Sequence, residues 1–273
     1  AGGELKPDFI LAMDTGNTSQ KIDGITTKEP AFGLDALWIT KIQKEDSELA
    51  GYTVVDIPTV IATHITEILR QHAHELFGRQ EASKLIDNFK KNYPKVVEEL
   101  IPDTLPLGQV VKVLQNLLRE QVSIRDLLTI FETLADEGGR TKDTDVLTES
   151  VRRAMARSIT AKLKDSTEKI HVINLGGEVE EIINQSLLQT EQGVQLAMDP
   201  SYGHGLVNSI AETIETHPEV AGQPVLLTSP MSRRHIFRLV NRFIPQLIVL
   251  SHSEISSDVT VNTVGTVEEI HAS

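Results

Sequence analysis

The rhythm of apolar and polar positions changes three times along this chain. At the start, short apolar runs alternate with turn formers. Phe9-Ile10-Leu11-Ala12-Met13 predicts a strand, which Asp14-Thr15-Gly16-Asn17 breaks. Ile22 and Ile25 flank a turn at Asp23-Gly24. Glu29-Pro30-Ala31-Phe32-Gly33-Leu34 is irregular, Leu37-Trp38-Ile39 is strand-like again, and Gly51 to Val55 reads as an exit strand. Residues 1–56 are therefore expected to form a small β-rich unit.

A helical period follows. Pro58 suits a first helical turn, and Ile61, Ile65, Ile68, Leu69, His72 and Leu76 recur at helical spacing, so 57–76 is one helix ending near Gly78. Residues 77–160 predict a compact helical unit punctuated by Pro94, Pro102 and Pro106. Val110 to Leu118 is an apolar-rich helix. Ser123 is the expected N-cap of the next, which Gly138-Gly139 stop, and a last helix runs from about Val146 to Leu163. After Lys164-Asp165-Ser166-Thr167 the texture changes once more. Strands are expected at 170–175, 193–198, 224–228 and 247–250, with helices at 178–188, 205–214 and 231–243 between them. Val259, Val261 and Val264 mark a tail or a further strand. Alternating strands and helices make 161–273 an α/β unit. The fold class is thus mixed α+β in several subdomains: β-rich, helical, then C-terminal α/β. Short crossings at 51–57 and 160–168 lead us to expect hinging of the α/β part.

Composition narrows the function. The 273 residues suit about two domains or more small ones. Aromatics are only 4%, so Leu, Ile, Val and Ala must build the core. The absence of cysteine excludes disulfides, thiolate metal sites and cysteine nucleophiles. A net charge of −13 repels nucleic acid and anionic membranes and favours protein partners with basic faces. No window approaches the roughly 20 apolar residues of a membrane helix. The opening Ala1-Gly2-Gly3-Glu4 is neither a signal peptide nor an initiator and reads like the interior of a longer protein.

Chemical motifs fall short one after another. His72 and His74 are two apart and so point to different sides of a helix, which does not hold a metal. Gly176-Gly177 lies where phosphate loops sit, but no Lys-Ser/Thr and no third glycine follow. Ser229 and Ser232, near His235, lack the nucleophile elbow and are explained as helix caps. Neither a catalytic set nor a cofactor is expected. Arg234, Arg238 and Arg242 are spaced four apart and share a helix face. That stripe is either a solvated face or a dock for an acidic protein segment.

Several blocks carry a family resemblance in a fixed order. They are Glu29-Pro30-Ala31-Phe32-Gly33-Leu34 with Trp38-Ile39, Gly51 to Asp56, Ala62-Thr63-His64 and His74 to Gln80. Lys112 to Leu118, Ile124 to Leu127, Glu132 to Ala135, Gln192-Gly193 and Pro224 to Leu227 continue it. Together they resemble the cytoplasmic part of the bacterial type III protein-export gate family, of the FlhA/InvA type. The resemblance implies a parent with a membrane half and a location at the cytoplasmic face of the bacterial plasma membrane. It implies a nine-subunit ring and, as partners, flagellar export chaperones with their substrates, the export ATPase complex and other gate subunits. It also implies that 1–56 is inserted within another subdomain, to which the helix 57–76 returns. Glu29, Phe32, Val55 and Thr63 would line a shallow apolar chaperone-binding dimple. Phe32 and Val55 would be its centre, Glu29 a rim charge and Thr63 a polar floor. From the residues alone, Phe32 could equally pack the β unit. Two other readings stand beside this one: a virulence injectisome gate subunit, against which the Pro30 to Leu34 block weighs, and a nucleotide-binding α/β enzyme.

Overall fold

The structure is a computed structural model that describes residues 5–16, 18–190, 193–217, 220 and 223–270. The chain divides into two compact units, 1–76 and 77–273.

In the first unit, strands β1 (Phe9–Met13), β2 (Ile25–Lys28), β3 (Asp35–Thr40) and β4 (Thr53–Val55) form an antiparallel sheet in the order β2-β3-β1-β4. Alternation along the strands sends Ile10, Ala12 and Ile39 to one face, with Ala50 and Tyr52. Leu11, Ala36 and Trp38 go to the other face. The connection from β3 to β4 carries helix α1 (Lys44–Leu49). Helix α2 (Ile57–Gln71) leaves β4 directly. Asp56 caps it by accepting from the Thr59 amide at 3.0 Å, and Pro58 fills the first turn. Val60 joins the core of Leu11, Ala36 and Trp38, with Val55 and Ile57 beside it. The apolar stripe further along α2 is different. Ile61, Ile65, Ile68 and Leu69 are all exposed, so the helix is anchored to its sheet by its first turn. The single helix expected over 57–76 breaks at His72, which leaves helical geometry, and the short α3 (Ala73–Leu76) ends the unit.

The second unit begins with six α-helices, α4 (Arg79–Lys90), α5 (Pro94–Glu99), α6 (Leu107–Arg119), α7 (Leu127–Gly138), α8 (Thr144–Ala154) and α9 (Ala156–Thr160), with a π-helical turn (Leu100–Thr104) between α5 and α6. Two boundaries differ from the sequence expectation. The cap of α7 is Asp126, which accepts from Thr129, whereas the Ser123 hydroxyl serves the loop amide of Arg125. The expected long helix from Val146 breaks at Met155 into α8 and α9. Strands β5 (Lys169–Leu175), β8 (Val225–Thr228), β9 (Ile248–Ser251) and β10 (Thr260–Val267) then form a parallel sheet in the order β10-β5-β8-β9. The strand expected over 193–198 is not in that sheet. As β7 (Gly193–Leu196) it pairs with β6 (Leu187–Thr190), a separate hairpin that follows α10 (Gly177–Gln185). The fourth sheet position belongs instead to the valine-marked tail, β10. An alternating pattern fixes which face a strand buries but does not name its neighbour.

Both sheet faces are covered, as a parallel sheet requires. Ile173, Leu175, Leu226 and Val249 pack under α10, α11 (Pro200–Thr216) and α12 (Arg233–Val240). Ile170, Val172, Val225, Leu227 and Leu250 instead join the core of the preceding helices, with Leu114, Phe131 and Leu147. The helices and the sheet therefore share one core.

Charges reinforce that junction. Arg152 of α8, with 2% of its side chain exposed, pairs with Glu120 at 3.0 Å and hydrogen-bonds Glu254 and the Val249 carbonyl. Arg233, fully buried, forks onto Glu149, with Nε to Oε2 at 2.7 Å, and reaches Glu120. The Ser251 amide and hydroxyl donate to Glu254. Burial works to raise the Glu120 pKa, but the Arg152 and Arg233 charges outweigh it and hold the carboxyl below its ordinary 4.5. Burial likewise works against the Arg233 charge, and Glu120, Glu149 and Glu254 more than offset it. A hinge at 160–168 would have to open this cluster and the core together. The expectation of a small, loose interface there is corrected.

His235 sits beside the cluster, 4% exposed, and its Nε2 accepts from Arg234 Nε at 3.1 Å. Burial first, then Arg234 and Arg238, push its pKa down from 6.5 to about 4, against the pull of Asp145. Between those values the unfolded chain binds the proton that the folded chain refuses. The neutral ring's contribution to stability is complete above pH 6.5 and is lost as the pH falls towards 4. His235→Gln should flatten the pH dependence of unfolding in that window. Urea melts at pH 7 and pH 5 check it, and an unchanged slope would exclude this role.

Candidate docking site

The β2–β3 connection is a tight loop, Glu29 to Leu34. The Glu29 amide donates to the Leu34 carbonyl at 2.8 Å, and Gly33 N donates back to the Glu29 carbonyl at 2.9 Å. Pro30 fixes its own φ early in the turn. Gly33 has φ +72°, with open space where a Cβ would stand, so glycine is demanded there by the backbone and not by crowding. The Glu29 carboxylate turns into the loop: Oε1 accepts from Ala31 N at 2.9 Å and Oε2 from Phe32 N at 2.6 Å. Glu29 is only 2% exposed, whereas Phe32 is 62% exposed. Sequence reasoning left Phe32 open between core and surface, and the structure puts it on the surface. The resemblance made Glu29 a rim charge, whereas the structure buries that carboxylate against the loop amides.

Val55 and Thr63 lie on consecutive elements, β4 and α2. Val55 is half-buried at the end of edge strand β4, opposite Leu11. Thr63 is half-buried on α2, three residues past the buried Val60 and so on a neighbouring part of the same helix face. In the sheet order, β1 lies between the strand that follows Phe32 and the strand that holds Val55. The four residues thus belong to one unit: Glu29 and Phe32 are bonded within the β2–β3 loop, and Val55 and Thr63 lie on β4 and α2.

The basic stripe is partly answered from within. Asp145 of α8 lies 2.7 Å from Arg238 and 3.9 Å from Arg234, while Arg242 is exposed. Arg233, its neighbour in sequence, is the buried centre of the ionic cluster. No sequence signal could have singled it out, because its carboxylate partners stand 84 and 113 residues away.

The other motifs have local explanations. Ser229 and Ser232 bond one another at 2.7 Å, Thr228 bonds Ser232 at 2.8 Å, and His235 is engaged by Arg234 instead. A side chain at Gly176 would strike Glu268 and the Val267 carbonyl, so this glycine serves the close approach of β10. His72 binds Glu75, and no metal-binding cluster occurs among the described residues. Nor does any described helix have the length and apolarity to cross a membrane.

Residues 1–260 match the FHIPEP family. The chain is 45% identical over 268 residues to the flagellar biosynthesis protein FlhA of Bacillus subtilis, covering 98% of this chain and 40% of that protein. It is 38% identical to FlhA of Escherichia coli, with 97% and 38% covered. It spans about two-fifths of the length of these relatives. Among solved structures, the Chlamydia pneumoniae CdsV protein superposes with a TM-score of 0.87 at 30% identity, covering 97% of this chain and 77% of that one. The nonameric SctV-C assembly of EPEC follows at 0.80 and 27%, with 97% and 79% covered. With the family profile matching 1–260 and the FlhA relatives aligned over nearly all of this chain, the chain belongs to the FHIPEP family of type III export-gate proteins.

Proposed function

We propose that the chain is a docking platform of a bacterial flagellar type III export gate, working at the cytoplasmic face of the plasma membrane. It receives chaperone–substrate complexes and the export ATPase complex, and its work is binding and not catalysis. The observation that carries this reading is Phe32, a large aromatic ring held out to solvent on a hydrogen-bonded loop, in a chain 45% identical to FlhA. Val55 and Thr63 extend the site towards α2. Within this reading the segments 1–56, 57–76, 77–160 and 161–273 are its working parts, and Arg242, flanked by Arg238 and Arg234, is the acidic-partner dock. The flagellar branch is favoured because the FlhA relatives reach 33–45% identity, above the 25–30% of the injectisome neighbours. The test is capture of purified flagellar chaperone–substrate complexes by the chain and by Phe32→Ala. Binding that depends on Phe32 supports the reading; binding of injectisome complexes alone would refute the branch.

Self-association belongs to the same reading, since similar chains are nonameric. The EscV relative is nonameric as a cytosolic domain, but in this reading a membrane half of the parent would add local concentration to the ring, and the chain alone lacks that avidity. Sedimentation at micromolar concentration should find mainly monomer; a stable nonamer there would contradict this.

A further inference from the structure

We infer that Glu29 serves the docking site through Phe32, as a positioning residue, and does not touch the partner. This rests on the docking reading above. A rim charge must be open to solvent or to an approaching surface, and Glu29 is 2% exposed. Both of its carboxylate oxygens are already aimed at the loop, one at the Ala31 amide and one at the Phe32 amide. The second bond, at 2.6 Å, is short even for a charge-assisted pair. Its own amide and carbonyl close the loop at Leu34 and Gly33. All four bonds converge on the backbone that carries the phenyl ring.

The physical consequence is preorganisation. An exposed aromatic on a loose loop must be ordered when a partner binds, and that cost is subtracted from affinity. A carboxylate that pins the Phe32 amide meets the cost during folding instead. A glutamine at the same place keeps one acceptor oxygen and presents an NH2 donor to the other amide, so one of the two bonds is lost. An aspartate keeps two acceptors, and short carboxylates commonly cap amides two and three residues on.

The test is a double-mutant cycle on the whole chain, with Bacillus subtilis flagellin bound to its export chaperone as probe, measured by calorimetry. Glu29→Gln should weaken binding threefold or more. In the Phe32→Ala background it should cost less than 1.5-fold, because its effect runs through the ring. Amide hydrogen exchange at Ala31 and Phe32 should speed at least tenfold in Glu29→Gln. The salt dependence of association should stay unchanged, and Glu29→Asp should restore both readouts. Multiplicative losses in the cycle, or a flattened salt dependence, would make Glu29 a contact residue and overturn the inference. Unchanged exchange at the two amides would overturn it too. If Phe32→Ala itself binds normally, the docking reading fails, and the exchange rates alone still decide whether Glu29 holds the loop. Should Glu29→Gln unfold the first unit, Glu29→Asp carries the same comparison: a wild-type exchange pattern supports the inference, and accelerated exchange sinks it.

Discussion

Replacing Arg152 by methionine should destabilise the unit 77–273 by about 3–5 kcal/mol, the usual cost of removing one partner from a buried ion pair. The pair itself need not be strongly favourable, because desolvating its charges offsets much of their attraction. The loss comes from what is left behind. Glu254, 1% exposed, would keep only its Ser251 bonds and a distant Arg233 nitrogen at 3.9 Å. Three carboxylates, Glu120, Glu149 and Glu254, would then face the single guanidinium of Arg233. Methionine fills the arginine volume closely, so the measurement reports charge more than cavity. In a unit of this size the melting temperature should fall by about 10 °C. The variant should also alter the acid limb. Glu120 is held below 4.5, so its contribution is present above that pH and lost as the pH falls through the lowered value. With Arg152 gone, part of that pull disappears and the acid-side loss should shrink. Urea unfolding at pH 7 and pH 4 measures both effects. A loss under about 1 kcal/mol would mean that the cluster is solvated and is no lock between helices and sheet.

That cluster marks where the sequence stops being legible. Periodicity found α6 and α7, because each carries apolar residues at helical spacing and no tertiary partner is needed to see them. It found the strand before Gly176 for the same reason. It could not tell that Gly193 to Leu196 would pair with the preceding four-residue strand, or that the tail from Thr260 would lie parallel beside β5, since pairing is a long-range choice. Arg233 stands just before the basic stripe with no mark of its own in the sequence, and only the folded chain brings Glu120 and Glu149 to it. At the proposed docking site, the family resemblance singled out Glu29 and Phe32. The three-residue spacing did not reveal that the charge would be buried and the ring exposed. A carboxylate followed by proline and then glycine three residues later fits a capped turn, and that signal was available.

Phe32→Ala should leave the chain folded and weaken flagellar chaperone–substrate binding by at least tenfold. Both halves follow from exposure. The ring is 62% exposed and belongs to none of the described apolar clusters, so its loss should change unfolding by no more than about 0.5 kcal/mol. The loop's bonds run through Glu29, the backbone and Gly33, and alanine keeps the Phe32 amide that Glu29 holds. On the binding side, a central aromatic anchor costs about 2 kcal/mol or more when truncated. That corresponds to roughly thirtyfold in affinity, and the tenfold floor requires only about 1.4 kcal/mol of it. The loss should fall mainly on the dissociation rate, since removing a neutral side chain does not alter electrostatic steering. Calorimetry beside a melting curve reads both halves at once. Unchanged affinity with an intact fold would remove Phe32 from the site, and with it the observation on which the docking reading rests. A collapsed melting curve would instead return the ring to the core, against its 62% exposure.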